Sequence, residues 1–102
     1  MITEIDKDLI VKAIGEVYGV SKAQLKGRRR TRELAHARFS CFRYLYEEMG
    51  LTLVQIGAYF KRHHADVLYG IRKIKELEED SRAMASRSRR VRKAIKELND
   101  EK

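Results

Sequence analysis

A chain of 102 residues is long enough for one ordinary domain with a modest core and too short for two independent cores. With 43% hydrophobic and 37% charged residues the composition excludes a disordered tail, no apolar run approaches the roughly 18 residues of a membrane span, and the absence of proline leans the reading towards helix. Lys and Arg outnumber Asp and Glu by 23 to 15, a formal charge of +8 that points to a polyanionic partner.

Taken in chain order, Ile10, Ala13, Ile14 and Val17 recur at helical spacing and predict an amphipathic helix over about 4–18, ended by Tyr18-Gly19. Ser21-Lys22-Ala23-Gln24 has the form of a capping box, in which the Ser hydroxyl and the Gln side chain satisfy free amides, so a short helical turn over 22–26 follows. Gly27 and Arg28-Arg29-Arg30 break the apolar pattern and predict an exposed basic loop. From Thr31, a suitable N-cap, Ala35, Phe39, Phe42, Tyr46 and Met49 form the stripe of a long helix over about 31–49, with Leu34, Cys41 and Leu45 beside it and Gly50 as its stop. Thr52-Leu53-Val54-Gln55 is a second capping box and opens a helix to Phe60. After a tight break at Lys61-Arg62, Val67, Ile71, Ile74 and Leu77 predict a helix over 63–80. The tail, with Met84, Ser88, Val91, Ile95 and Leu98 on a four-and-three spacing, reads as a helix that either continues the one before it or folds back. The fold class expected is all-α, with residues 1–83 as the helical domain and 84–102 as a basic C-terminal helix that belongs to it or extends it.

Charge is concentrated in two blocks. Residues 26–43 carry +6, with Glu33 the one acid among seven basic groups, and residues 82–96 carry +7 with no acid. Blocks this one-sided favour a nucleic-acid surface over a merely solvated face. The single cysteine, Cys41, allows no intramolecular disulfide and sits among apolar neighbours, which fits a buried thiol and a reducing, cytoplasmic and nucleoid-associated setting.

A short helix, a tight turn and a helix that begins polar and becomes apolar is the pattern of a helix-turn-helix, here at 52–80. Its mechanics leave the start of the second helix free to contact base edges in the major groove of duplex DNA: Arg62, His63, His64, Ala65 and Asp66, with Tyr69 one turn on, and Lys61 in the turn is a further DNA-binding candidate. Arg28, Arg29, Arg30 and Arg32 are the candidates for backbone contacts from the loop.

Arg62-His63-His64-Ala65-Asp66-Val67-Leu68-Tyr69-Gly70-Ile71-Arg72-Lys73-Ile74 resembles the signature of the C-terminal DNA-binding domain of the bacterial replication initiator DnaA, a Trp-repressor-like helical domain. The similarity runs from about Val17 to Glu78 and takes in the Tyr18-Gly19-Val20 entry, the basic loop Leu25 to Arg32 and the Leu53 to Phe60 helix. The resemblance implies that the signature enters the major groove, that the loop and the start of the long helix reach the adjacent minor groove through positions such as His36 and Arg38, and that replication proteins are further partners. The departures are specific. His63 stands where the family has Asp, Ala65 and Asp66 replace two hydroxyl residues, Lys61 stands where the family usually has two glycines, and His36-Ala37 replaces Arg-Pro. The docking is therefore expected to carry over, and the preferred DNA box is not. No phosphate-binding G-x-x-x-x-G-K-[ST] motif is present, and the length leaves no room for the initiator's nucleotide-binding domain, so a stand-alone relative is expected.

Enzymatic readings find little support. His63 and His64 are adjacent, so on a helix their side chains should diverge, and no H-x-x-x-H or C-x-x-C spacing suggests metal. No catalytic residue, metal or cofactor is expected. The alternatives are a transcriptional regulator of a phage or mobile element, an RNA-binding protein using the same arginines, and an adaptor for an acidic partner. The tail helix has three open roles: capping the core, laying its arginines on phosphate, or pairing as a homodimer through its seam.

Overall fold

The computed structural model describes residues 7–100, and the first residues of the expected N-terminal helix lie outside them. Six α-helices follow in order: α1 (Lys7–Tyr18), α2 (Lys22–Lys26), α3 (Arg32–Glu47), α4 (Leu53–Phe60), α5 (His64–Asp80) and α6 (Arg82–Asp100). Among the described residues there is no strand.

The starts of these helices are set by side chains that satisfy free amides. Ser21 and Thr52 accept from the backbone N–H of Gln24 and Gln55, whose own side chains accept in return from Ser21 N and Thr52 N, so both expected capping boxes are formed. Thr31 caps α3 by accepting from Leu34 N at 3.1 Å. Ser81, extended at φ −138° and ψ 123°, breaks α5 from α6 and caps α6 through Met84 N. A single serine in an extended conformation thus decides that the tail folds back instead of continuing.

α3 lies at the centre, with α1 and α5 packed against it, α4 bracing α5, and α6 laid on α1 and α5. Its buried face is Leu34, Ala37, Cys41, Phe42, Tyr44 and Leu45, rotated from the expected stripe: Tyr46 is 45% exposed, and Ala35 and Phe39 are half-buried. α3 is apolar over much of its circumference, so periodicity alone does not choose among its faces. Ile10, Val11 and Ile14 of α1, Ile56 and Phe60 of α4, Val67 and Ile71 of α5, and Val91 and Ile95 of α6 complete one cluster. The seam of α6 is therefore occupied within the chain: Met84, Ser88, Val91 and Ile95 are all buried, which favours core capping among the three roles left open for it.

Two close approaches fix the half of the fold that matters for binding. A Cβ on Gly70 would lie 2.5 Å from Phe39 and 2.8 Å from Phe42, so α5 rests on α3 only because that position is bare. A Cβ on Gly57 would lie 2.4 Å from the Arg62 carbonyl oxygen, which lets the turn between α4 and α5 close tightly. Arg62 N–H donates to Gly57 O at 2.8 Å and Lys61 N–H to Ala58 O, the paired bonds of a Schellman ending.

Candidate nucleic-acid interface

The turn that joins α4 to α5 places Lys61 in the left-handed region, at φ 59° and ψ 48°. Lys61 is the one non-glycine residue with positive φ among the described residues, and a Cβ there costs about 1 kcal/mol. Chain direction then reverses into α5. His63 stays outside the helix with extended backbone as its N-cap, and its Nδ1 accepts from Ala65 N–H at 3.1 Å. That arrangement corrects the expectation that His63 and His64 diverge. Because His63 is not itself helical, its ring lies over that of His64 with centroids 4.2 Å apart and planes 30° from parallel. Stacked rings do not converge on a metal, and no group of three or more His, Cys, Asp or Glu that could hold one occurs among the described residues.

His64, Ala65, Asp66 and Tyr69 are exposed along the first two turns of α5. Asp66 takes no part in the cap, which His63 supplies, and its carboxylate lies in the first turn where the helix dipole favours it. The same face continues, at i+3 and i+4 from Tyr69, into Arg72 and Lys73, two basic residues absent from the expected set although the helical spacing alone places them there.

The basic loop is held against this turn by two arginines. Arg38 is 5% exposed: its Nε donates to Leu25 O at 2.8 Å, and its Nη2 to Gln24 O at 2.9 Å and to Gly27 O at 3.0 Å. From the other side, Arg62 donates through Nη2 to the same Gly27 oxygen at 2.8 Å and through Nη1 to Phe60 O. Arg38 was expected on the nucleic acid, and its burial corrects that: its guanidinium closes the carbonyl end of α2 and shapes the loop from inside. Burial, followed by the charges of Arg62 and Arg30, lowers its pKa from the ordinary arginine value. Arg62 is half-buried and uses two of its five N–H groups on the protein, leaving the rest for a ligand. Lys26 adds a third tie, its ammonium 4.1 Å from the centre of the Tyr59 ring on α4.

Arg28, Arg29, Arg30 and Arg32 are all exposed beside this anchor. Between the loop and α5 runs a cleft of about 290 Å³ whose lining includes Arg30, Phe39, Arg62, Asp66 and Tyr69. Phe39 meets the Tyr69 ring edge-on at 5.9 Å and gives the cleft an apolar floor. His36 is half-buried beside Phe39, and burial lowers its pKa from the ordinary histidine value, against an opposing pull from Glu33. Cys41 is fully buried and its thiol pKa is pushed up by burial, so the one cysteine offers no nucleophile.

The family model described as the bacterial dnaA protein helix-turn-helix matches residues 7–74, which include α1 to α4 and α5 as far as Ile74. The chain belongs to this DnaA helix-turn-helix family. Among curated relatives it is 40% identical to the chromosomal replication initiator protein DnaA of Oleidesulfovibrio alaskensis over 69% of its own length. It is 37% identical to the chromosomal replication initiator protein DnaA 1 of Chlamydia trachomatis over 87% of its length. A third, DnaA 2 of Protochlamydia amoebophila, is 31% identical over 81%. The matched stretches amount to only 15 to 19% of these relatives, so the chain corresponds to a small part of each DnaA protein. Within the DnaA family match lie the loop, the turn and the exposed start of α5, while α6 begins beyond it.

Proposed function

We propose that the chain binds duplex DNA sequence-specifically, in replication initiation or its regulation, and carries out no chemistry of its own. The first two turns of α5 enter the major groove, and the basic loop with the start of α3 lies on the backbone and in the adjacent minor groove. The observation that carries this reading is the Gly27 carbonyl, which accepts from Arg38 and Arg62 together. Two groove readers on either side of one phosphate strand need a fixed separation, and a loop bonded to the same acceptor as the helix-turn-helix turn keeps it. The replication role comes from the relatives, whose names describe chromosomal replication initiators.

In this mode Arg28, Arg29, Arg30, Arg32 and Lys61 neutralise phosphates, which sets affinity without reading sequence. His64, Asp66 and the remaining N–H groups of Arg62 meet base edges, where an arginine pairs with guanine and a carboxylate accepts from the cytosine amino group. His36, largely neutral at pH 7, reads the minor groove by hydrogen bonding. Single-stranded RNA is recognised mainly by stacking on exposed aromatics. Tyr18 and Tyr44 are buried, and the exposed pair, Tyr46 and Tyr69, sit on different helices, which favours the duplex.

Selection of bound duplexes from a random pool tests the reading. One enriched motif is expected, differing from the DnaA family's box at the bases that face Ala65 and Asp66. A pool that returns no motif, or single-stranded RNA that outcompetes every duplex, overturns it.

A further inference from the structure

We propose that the outward face of α6 is a second phosphate-binding surface, which holds the duplex flanking the helix-turn-helix site. This extends the DNA-binding reading and rests on it. Burial sets the orientation of the helix: Met84, Ser88, Val91 and Ile95 face the core. Arg82, Arg89, Lys93 and Lys96 then share the opposite face, with Arg90 and Arg92 at its flanks, and all six are exposed. From Arg82 to Lys96 the stripe is ~21 Å long at the rise of an α-helix. That length spans about six base pairs of duplex along its axis.

No acid interrupts residues 81–96, and α6 has no acidic residue in its first turn. Acids follow only at the end of α6, where Glu97 and Asp100 stand four residues after Lys93 and Lys96. Arg87 pairs with Glu33 at 3.2 Å and Arg92 donates to the Tyr44 hydroxyl, whereas Arg82, Arg89, Arg90, Lys93 and Lys96 have no side-chain partner among the described residues. Arg89 and Lys93, Arg92 and Lys96, and Lys93 and Lys96 are like-charged neighbours at i+3 or i+4, each pair destabilising the isolated helix. Arg82, in the first turn, also opposes the helix dipole. A helix that only covered the core would keep the same seam with mixed charges outside. Self-repulsion left standing along one face calls for an external polyanion.

The first turns of α6 meet the basic loop block through residues that flank the outward stripe. A cavity lined by Arg32, Glu33, His36, Ala83, Met84 and Arg87 joins the first turns of α6 to the start of α3. Glu33, the one acid of the basic loop block, is paired there with Arg87. The DnaA family match ends at residue 74, and this second surface lies wholly beyond it.

The test combines Arg82→Gln, Arg89→Gln, Arg90→Gln and Lys93→Gln, leaving Arg87 in place. Binding is measured against salt on two duplexes that share the selected motif, about 13 and about 30 base pairs long. The wild-type slope of log affinity against log salt is expected to be steeper on the long duplex by roughly three units, at ~0.9 per phosphate contact. The variant is expected to give one slope on both, to lose at least about tenfold on the long duplex, and to stay within about twofold on the short one. Motif preference stays unchanged, thermal melting holds or rises as the like-charged pairs are removed, and Lys at the same four positions restores the slope. A variant that matches the wild type on the long duplex, or that weakens equally on both, overturns the proposal. So does loss confined to single-stranded RNA. Failure of the wild type to bind either duplex rejects the DNA-binding reading itself.

Discussion

The two basic blocks carry nearly equal charge, +6 over residues 26–43 and +7 over 82–96, and use it in opposite ways. In the first, the chain between α2 and α3 has no secondary structure to hold it, and two guanidiniums turn inward to bind its carbonyls: Arg38 from α3 and Arg62 from the turn. The remaining arginines of the loop then project from a defined backbone. In the second, the helix and its buried seam already supply the backbone, and the two side chains with partners, Arg87 and Arg92, bond at the flanks while the outer stripe stays unpaired. Charge in a loop needs internal charge to place it. Charge on a docked helix is placed by its apolar side.

The sharpest way to break this comparison is Arg38→Met set beside Arg92→Gln. The first takes a donor from the carbonyls of Gln24, Gly27 and buried Leu25, with Arg62 still on Gly27, and is expected to lower unfolding stability by about 2 kcal/mol and to weaken every duplex. The second, at an exposed residue, is expected to change stability by less than about 0.5 kcal/mol. Denaturant unfolding checks both, and equal effects would remove the distinction between a pinned loop and a self-supporting helix. Next, Arg29→Ala with Arg30→Ala is expected to flatten the salt slope by roughly two units on short and long duplexes alike. A loss confined to the long duplex would assign to the loop the role proposed for α6. Asp66→Ala is expected to relax preference at one base pair by about 1 to 3 kcal/mol, read by competition between matched and mismatched duplexes. Tighter binding to all duplexes equally would make Asp66 only an electrostatic penalty. Smallest is Lys61→Gly, which relieves the left-handed backbone and is expected to raise stability by about 1 kcal/mol while lowering the salt slope by about one unit.

The helix boundaries were legible because their signals are local. Ser21 with Gln24 and Thr52 with Gln55 announce helix starts within four residues, and both boxes are formed. The helix-turn-helix followed from the same economy, a capped short helix and a polar-then-apolar successor. What sequence reading missed depends on partners distant in the chain. Arg38 lies 11 residues from the carbonyl at Gly27 and Arg62 lies 35, and nothing in a basic run tells which guanidinium turns inward. One signal was available: Arg38 falls between Ala37 and Cys41 on the same face as Leu34 and Leu45, and a charged residue on an apolar face needs buried acceptors. The stacking of His63 on His64 was hidden because it depends on His63 standing one residue outside the helix. Arg72 and Lys73 were legible by spacing alone, one turn beyond Tyr69.

The docking of α6 on α1 also bears on the order in which the chain assembles. Bonds across the α4–α5 turn join residues at most five apart, whereas Val91 and Ile95 meet Ile10, Val11 and Ile14 only after some eighty residues of chain have been brought round. Closing so long a loop carries an entropy cost that local pairs avoid, so folding should begin with the helix-turn-helix and its seat on α3 and finish with the last helix sealing against the first. The reading surface therefore forms early, and the closing step covers an apolar flank of α1 that would otherwise remain open to aggregation during synthesis.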